Sequence, residues 1–247
     1  MRLLALDTAT EACSVALVTE AGVIGRYAEV GRGHAEEILG MVNAVLAEAG
    51  IPLGGIDSIA AGIGPGSFTG VRISVSVAQG LAFGAGLPVI PLTSLETLAW
   101  RALGQPASGA GAPVEGRELG ASGGGRALAC LDARMGEVYW ACFAADRVQG
   151  VALLGSLEVG PAASVRLPGA EPYRGIGRGF TAYPELAGLV GLELAPRDAE
   201  ALPDARDMAR LGALRFAAGA GLDPAELKPQ YVRDKVALTE AERLACK

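Results

Sequence analysis

The chain carries the stretch G-I-G-P-G-S-F-T-G-V-R, from Gly62 to Arg72, at the end of an apolar run. Four glycines and one proline lie in this short loop, together with the hydroxyl residues Ser67 and Thr69. Glycine is used where another group must come close to the backbone, and successive N–H groups in such a loop form a nest that suits an anion. The loop therefore predicts either phosphate binding, with Gly66, Ser67 and Thr69 at the site, or a tight turn between a strand and a helix.

The segment after the loop has a pattern that conflicts with the topology around it. V-R-I-S-V-S-V, Val71–Val77, alternates with period two, which favours a strand. The flanking runs Ile56–Ile63 and Val89–Leu92 read as strands joined by a crossover, and parallel strands need a long connection that is usually helical. We therefore expect a helix over about Thr69–Ala85, capped by Ser67 or Thr69.

Two strand–Asp–turn–strand units lie about half a chain apart. The first reads L-L-A-L-D-T-A-T-E-A-C-S-V-A-L, in which Asp7, Thr8 and Thr10 lie at the predicted turn. The second reads A-C-L-D-A-R-M-G-E-V-Y-W, in which Asp132 ends the first strand. A short polar turn between two β-rich runs indicates a hairpin, and its repetition indicates a weak internal duplication.

Taken together, these motifs resemble the bacterial TsaB (YeaZ) family of the actin/Hsp70/sugar-kinase (ASKHA) superfamily. The resemblance covers residues 1 to about 106 and 127 to about 179, with an echo at P-Q-Y-V-R, 229–233. It implies an α/β, two-lobed, ribonuclease H-like fold with mixed five-stranded sheets, and it supports the helix after the glycine-rich loop. It also implies a role in N6-threonylcarbamoyl transfer to tRNA adenosine 37.

The pattern of elements divides the chain into four parts. We expect a first lobe at 1–103, a flexible Gly/Ala/Ser-rich linker or insertion at 104–126, a second lobe at 127–203, and a helix and tail at 204–247 whose helix returns to the first lobe. Predicted helices are Ala35–Ala49, Thr69–Ala85, Thr93–Leu103 and Ala205–Ala218. Predicted strands are Arg2–Leu6, Ala12–Thr19, Val23–Glu29, Ile56–Ile63, Val89–Leu92, Ala127–Asp132, Glu137–Ala144 and Gly150–Leu157.

Composition limits the function classes. Hydrophobic residues make up 51% of the 247 residues, enough for a sizeable core. The formal net charge of −6 disfavours direct nucleic-acid binding, because phosphate contacts supply most of such affinity. Four cysteines without C-x-x-C spacing read as buried thiols. We see no signal peptide, and the uncharged stretch 73–95 is broken by Gly84, Gly86 and Pro88, so we expect a cytoplasmic protein with no membrane association.

The sequence contains few candidate catalytic residues. His34 is the single histidine, so neither a His-rich metal site nor a Ser–His–Asp triad is expected. In kinases of the superfamily, loops equivalent to those at Asp7 and Asp132 hold phosphate and Mg²⁺. Here these aspartates read either as remnants of phosphate loops or as turn residues that cap local N–H groups. The alternative function is an ATP-dependent small-molecule kinase of the same superfamily.

The predicted helices Ala35–Ala49 and Thr69–Ala85 carry more apolar surface than one core-facing stripe requires. The excess indicates either burial within the lobe or contact with a second subunit. The resemblance implies pairing with a catalytic TsaD-like paralogue, or with a second copy when that paralogue is absent. It further implies a TsaE-like ATPase as partner, tRNA contact only through the complex, and ATP or ADP only at the complex interface. The candidate interface residues are Ile38, Met41, Val42, Val45, Val71, Val75, Ala78 and Ala82.

Overall fold

The computed structural model describes residues 1–104 and 125–233. The predicted linker at 104–126, apart from its ends, and the tail beyond Arg233 lie outside the described residues. The first half contains β1 (Leu3–Asp7), β2 (Ala12–Thr19), β3 (Gly22–Glu29), α1 (His34–Ala49), β4 (Ser58–Gly62), α2 (Phe68–Ala85), β5 (Val89–Leu92) and α3 (Ser94–Leu103). The second half contains β6 (Arg126–Arg134), β7 (Glu137–Asp146), β8 (Gly150–Pro161), β9 (Tyr173–Ile176), α4 (Gly179–Ala182), β10 (Leu192–Glu193), α5 (Pro196–Ala199) and α6 (Ala205–Ala217).

Each half builds one five-stranded mixed sheet. In the first sheet the order is β3-β2-β1-β4-β5, with antiparallel pairs among β1–β3 and parallel pairs among β1, β4 and β5. The second sheet has the order β10-β9-β6-β7-β8, again antiparallel on one side of its central strand and parallel on the other. The matching pattern confirms the predicted two-lobed, ASKHA-like fold.

The conflict at Val71–Val77 is resolved as a helix. Helix α2 begins at Phe68 after Ser67, whose Oγ accepts a hydrogen bond of 3.0 Å from the Gly70 N–H. It ends at Ala85, and the next residue, Gly86, has a left-handed conformation. Ser74 is fully buried and donates from Oγ to the Leu6 carbonyl at 3.3 Å, so a serine of the alternating pattern points towards the sheet. The helix and its cap were therefore predicted correctly.

Helices α3 and α6 lie between the two sheets. Helix α6 packs against β1 and β2, whereas α3 packs against β6, β7 and β9 and against α6. One hydrophobic cluster contains residues of both sheets and both helices, among them Leu3, Leu98, Phe143 and Leu211. Helix α3, which we assigned to the first lobe, thus packs mainly on the second sheet, where its apolar residues, among them Leu98, join the cluster between the two sheets.

Among the residues that the structure describes, no helix has both the length and the apolar character needed to cross a membrane. The cysteines Cys13, Cys130 and Cys142 are free and buried.

Candidate functional site

A cleft of about 510 Å³ lies between the two lobes. Its walls come from the β1–β2 turn, the glycine-rich loop, the start of α1, the β6–β7 hairpin and the region around Arg178. Four of the predicted loop residues line it: Thr10, Gly66, Ser67 and Asp132. The other three, Asp7, Thr8 and Thr69, do not line it.

The glycines of the loop are used for close packing. A Cβ on Gly66 would lie 2.0 Å from the Ala9 carbonyl oxygen, and one on Gly70 would lie 2.0 Å from the Thr8 carbonyl oxygen. The Ser67 N–H donates to the Ala9 carbonyl at 2.6 Å. Since the β1–β2 turn occupies the space beside these glycines, the loop makes the tight turn that was one of the two predicted alternatives. Gly66 and Ser67 also line the cleft, and phosphate binding there stays a prediction.

Asp7 is buried behind this turn. Its side chain is 2% exposed, and its Oδ1 accepts a hydrogen bond of 2.9 Å from the Ala9 N–H. Gly62 leaves room for the carboxylate, because a Cβ there would lie 2.2 Å from Asp7 Oδ1. Burial raises the pKa of Asp7 from 3.8 to about 6, and the hydrogen bonds from Ala9 and Thr8 only partly offset this rise. The carboxylate is therefore a packed, internally bonded group.

Asp132 is engaged by groups of the chain itself. Its Oδ1 accepts from the Arg134 N–H at 2.8 Å and from the Tyr183 hydroxyl at 3.3 Å, and its Oδ2 pairs with the Arg134 guanidinium at 3.0 Å. Arg134 has a φ of 62°, in the left-handed region. An aspartate that bonds the N–H two residues ahead stabilises such a turn, which supports the turn-forming interpretation of Asp132.

Two arginines of the second lobe reach across the cleft to glutamates of the first. Arg178 donates to both oxygens of Glu29, at 2.9 and 3.1 Å, and Arg134 pairs with Glu11. The pair with Arg178 lowers the pKa of Glu29. Our sequence reasoning missed these bridges. Arg178 lies inside the glycine-rich run G-I-G-R-G, but its partner is 149 residues away in sequence.

His34 lies at the edge of the cleft, where its Nε2 contacts the Thr10 carbonyl at 2.9 Å. Because a carbonyl oxygen only accepts, Nε2 is the protonated nitrogen in this contact. In the part of the chain that the structure describes, no group of three or more His, Cys, Asp or Glu side chains is arranged to hold a metal ion.

The predicted interface side chains require a correction. Seven of the eight are buried inside the chain, and Met41 is partly buried against the same cluster. Six of the seven pack in the cluster between α1, α2 and the first sheet, and Val71 is buried beside Gly64, so none of them forms part of an exposed apolar face. The seven are Ile38, Val42, Val45, Val71, Val75, Ala78 and Ala82.

The outer sides of α1 and α2 carry a different set of residues. Leu39 is 49% exposed and Phe83 is 60% exposed. Gly40, Gly80 and Gly84 lie within these helices, and a Cβ on any of them would meet nothing within 4 Å. A glycine inside a helix costs roughly 0.5–1 kcal/mol relative to alanine. No contact of the described residues explains these three glycines.

Comparisons with known proteins agree on one family. A family model described as TsaD, tRNA N6-adenosine threonylcarbamoyltransferase, matches residues 17–148. The tRNA threonylcarbamoyladenosine biosynthesis protein TsaB of Escherichia coli is 40% identical over 96% of each chain. Its namesake from Haemophilus influenzae is 34% identical over 96% of this chain and 95% of its own.

Solved structures give the same result for the fold. YeaZ from Pseudomonas aeruginosa has a TM-score of 0.78 at 38% identity, covering 93% of this chain and 99% of its own. A second structure from that organism, described as similar to peptidase YeaZ, has a TM-score of 0.80 at 40% identity, covering 94% and 99%. The chain has the motifs and the fold of these proteins and matches them over more than nine-tenths of its length. It therefore belongs to the TsaB (YeaZ) family.

Proposed function

We propose that the chain is a non-catalytic subunit of the machinery that transfers a threonylcarbamoyl group from threonylcarbamoyl-AMP to N6 of tRNA adenosine 37. Its relatives are named for the biosynthesis of that modified nucleoside. The observation that carries the non-catalytic role is that the aspartates of both loops are engaged within the chain. Asp7 is buried and accepts from the Ala9 N–H, and Asp132 is held by Arg134 and the Tyr183 hydroxyl.

The partner in this proposal is a TsaD-like catalytic paralogue, which docks on the outer side of α1 and α2. Exposed glycines in a helix allow a partner helix to approach closely, and Leu39 and Phe83 offer apolar contacts on either side. An obligate interface of this kind buries about 2,000 Å² or more. We further propose that the same face pairs two copies of the chain when the paralogue is absent.

The remaining components follow from the same proposal. A TsaE-like ATPase joins the complex, and ATP or ADP binds only at a subunit interface, not tightly to this chain. The net charge of −6 supports tRNA contact through the partner, since acidic residues outnumber basic ones and the chain as a whole repels phosphates. Because the substrate is tRNA, we place the protein in the cytoplasm.

Reconstitution tests the proposal. The TsaD-like paralogue and the TsaE-like ATPase of the same organism, with tRNA, threonylcarbamoyl-AMP and ATP, are assayed for modified adenosine with and without this chain. We expect product only when the chain is present, and none from the chain alone. Incubation of the chain with ATP and sugars or small carboxylic acids should give no turnover above the blank. Robust phosphorylation of such an acceptor would favour the kinase alternative.

A further inference from the structure

An exposed cluster of two aromatic rings and one arginine lies at the start of α2. The rings of Phe68 and Tyr231 are 5.7 Å apart between centroids, with an interplanar angle of 31°. The Cζ of Arg72 lies 3.3 Å from the Phe68 centroid and 5.6 Å from that of Tyr231. Phe68 is 52% exposed and Tyr231 is 50% exposed. We call this cluster the Phe68–Tyr231 edge.

The edge is held in place from both lobes. Ser67 caps the helix that carries Phe68 and Arg72. On the other side, the Gln230 N–H donates to the Ile63 carbonyl at 2.8 Å. Arg233 pairs with Glu137 and donates to the Ala133 carbonyl at 3.1 Å, which ties the segment of Tyr231 to the β6–β7 hairpin. These contacts fix the backbone around exposed aromatic groups, which lowers the entropy lost on binding a partner.

The hairpin extends the edge with a further apolar group. Met135 is 77% exposed at the hairpin tip, and its sulfur lies 3.8 Å from Nη1 of Arg233. Aromatic residues, methionine and arginine are the types enriched in protein interfaces relative to the remaining surface. Three separate segments of the chain thus bring residues of this kind to one exposed surface.

The charge of the edge distinguishes it from its surroundings. Among the described residues, no carboxylate lies within ion-pair distance of Arg72, whereas Arg233 and Arg134 are paired with Glu137 and with Asp132 and Glu11. Within the described residues, Arg72 therefore presents a guanidinium without an ion-pair partner, stacked on the Phe68 ring and beside Tyr231, on a chain whose net charge is −6. An acidic group on a partner is complementary to it.

We propose that the Phe68–Tyr231 edge docks a protein surface that presents a carboxylate beside an apolar side chain, and that this surface belongs to the TsaD-like partner. The proposal rests on the proposed function and adds a second contact point beyond the outer side of α1 and α2. A single uncompensated cation gives little of the phosphate neutralisation on which RNA binding depends. A protein partner therefore fits the edge better than a single-stranded nucleic acid does.

Charge reversal at Arg72 tests the proposal in the full-length protein. Affinity for the purified TsaD-like paralogue is measured by calorimetric titration for the wild type, Arg72→Glu, Arg72→Gln and Tyr231→Ala. The matched control is Arg147→Glu, which makes the same charge change in the turn between β7 and β8, at the opposite end of β7 from Met135. A mobility-shift assay with labelled tRNA is run on the same proteins.

We expect Arg72→Glu to weaken partner binding at least tenfold, about 1.4 kcal/mol, and Arg72→Gln and Tyr231→Ala to weaken it by smaller factors. The control should bind within about twofold of the wild type. Because Arg72 is exposed, the melting temperature should change by less than about 3 °C, which corresponds to about 1 kcal/mol for a chain of this size. If Arg72→Glu fails to fold, Arg72→Gln provides the comparison.

Two results would overturn the edge assignment while leaving the proposed function intact. One is unchanged partner affinity for Arg72→Glu when the wild type binds. The other is loss of tRNA binding by Arg72→Glu with partner affinity retained, which would make the edge a nucleic-acid contact. Absence of wild-type binding to the paralogue would instead reject the proposed function, and this inference with it.

Discussion

The hydroxyl of Thr8 donates a hydrogen bond of 2.6 Å to the Gly70 carbonyl, and the Thr8 carbonyl lies where a side chain on Gly70 would begin. The tip of β1 and the first turn of α2 are therefore in direct contact and are joined by a hydrogen bond from a side chain to the backbone. This contact explains why the motif requires glycine at position 70, where the Thr8 carbonyl leaves no room for a side chain.

Gly70→Ala should destabilise the protein by about 2–4 kcal/mol, because the added Cβ would displace backbone and no flexible side chain can yield. The matched control is Gly80→Ala in the same helix, where nothing lies within 4 Å of the added atom. That change should raise stability by about 0.5–1 kcal/mol. Urea unfolding measures both, and equal effects of the two changes would contradict the packing role of Gly70.

Asp7 should make the protein less stable as the pH rises. Its pKa is about 6 in the folded protein and 3.8 for an unperturbed aspartate, so the folded state binds more protons between these pH values and stability falls as the carboxyl ionises. The rise corresponds to about 3 kcal/mol once ionisation is complete. Asp7→Asn should remove this dependence.

The measurement is the difference in the free energy of unfolding between Asp7→Asn and the wild type from pH 4 to pH 7. The stability of Asp7→Asn relative to the wild type should increase as the pH rises across this range. The pKa of Asp207 is also raised to about 6 by burial, but its contribution is common to both proteins and cancels in the difference. A flat difference would show that Asp7 does not titrate as described.

Glu96 should be a main contributor to the packing of α3 against α6. Its Oε1 accepts from Arg215 at 2.8 Å, its Oε2 accepts from the Thr93 N–H at 2.9 Å, and the side chains of the ion pair are 19% and 12% exposed. Glu96→Gln should cost about 2–4 kcal/mol, since it leaves a largely buried guanidinium without its counter-charge.

The control for Glu96 is Glu48→Gln, which removes the partner of Arg26 in a pair whose side chains are 49% and 41% exposed. Exposed pairs are worth about 0–1 kcal/mol, so this change should have little effect. Thermal unfolding of both variants distinguishes them. If Glu96→Gln lowers the stability no more than Glu48→Gln does, the buried ion pair adds no more to stability than the exposed one.

Ala78→Arg and Gly80→Arg should separate the core of the first lobe from its outer side. Ala78 is fully buried, so an arginine there should unfold the protein or lower its melting temperature sharply. Gly80 is exposed, so Gly80→Arg should fold normally and weaken binding of the TsaD-like partner by about 10²-fold, because an unpaired charge enters a desolvated interface. Normal partner affinity for a folded Gly80→Arg would remove the outer side of α2 from the interface.

His34→Ala should leave modification activity of the reconstituted complex within about tenfold. The residue makes a hydrogen bond to the Thr10 carbonyl, worth about 1 kcal/mol of stability, and is not a base whose loss costs about 10²–10⁴. A larger loss of activity in a variant that still folds and assembles would require a catalytic role for His34.

The local chemistry of the sequence predicted much of the fold. The need for a crossover between parallel strands, together with the family resemblance, predicted α2 against its own alternating pattern, and Ser67 proved to be its cap. Thr93 and Glu96 likewise form the capping box at the start of α3. These features depend on neighbours a few residues apart, which a sequence displays directly.

The sequence by itself thus determined the family, which implied the two mixed sheets, and the bounds of the four long helices to within one residue, but it did not predict α4, α5, β9 or β10. Only the tertiary structure decided which side of α2 is core, since Ala78 and Gly80 are both small and differ only in what packs against them. The same holds for the placement of α3 on the second sheet and for the pairing of Arg178 with Glu29. The physical reason is that burial and ion pairing depend on contacts between distant segments, whereas helix caps and turns depend on adjacent residues.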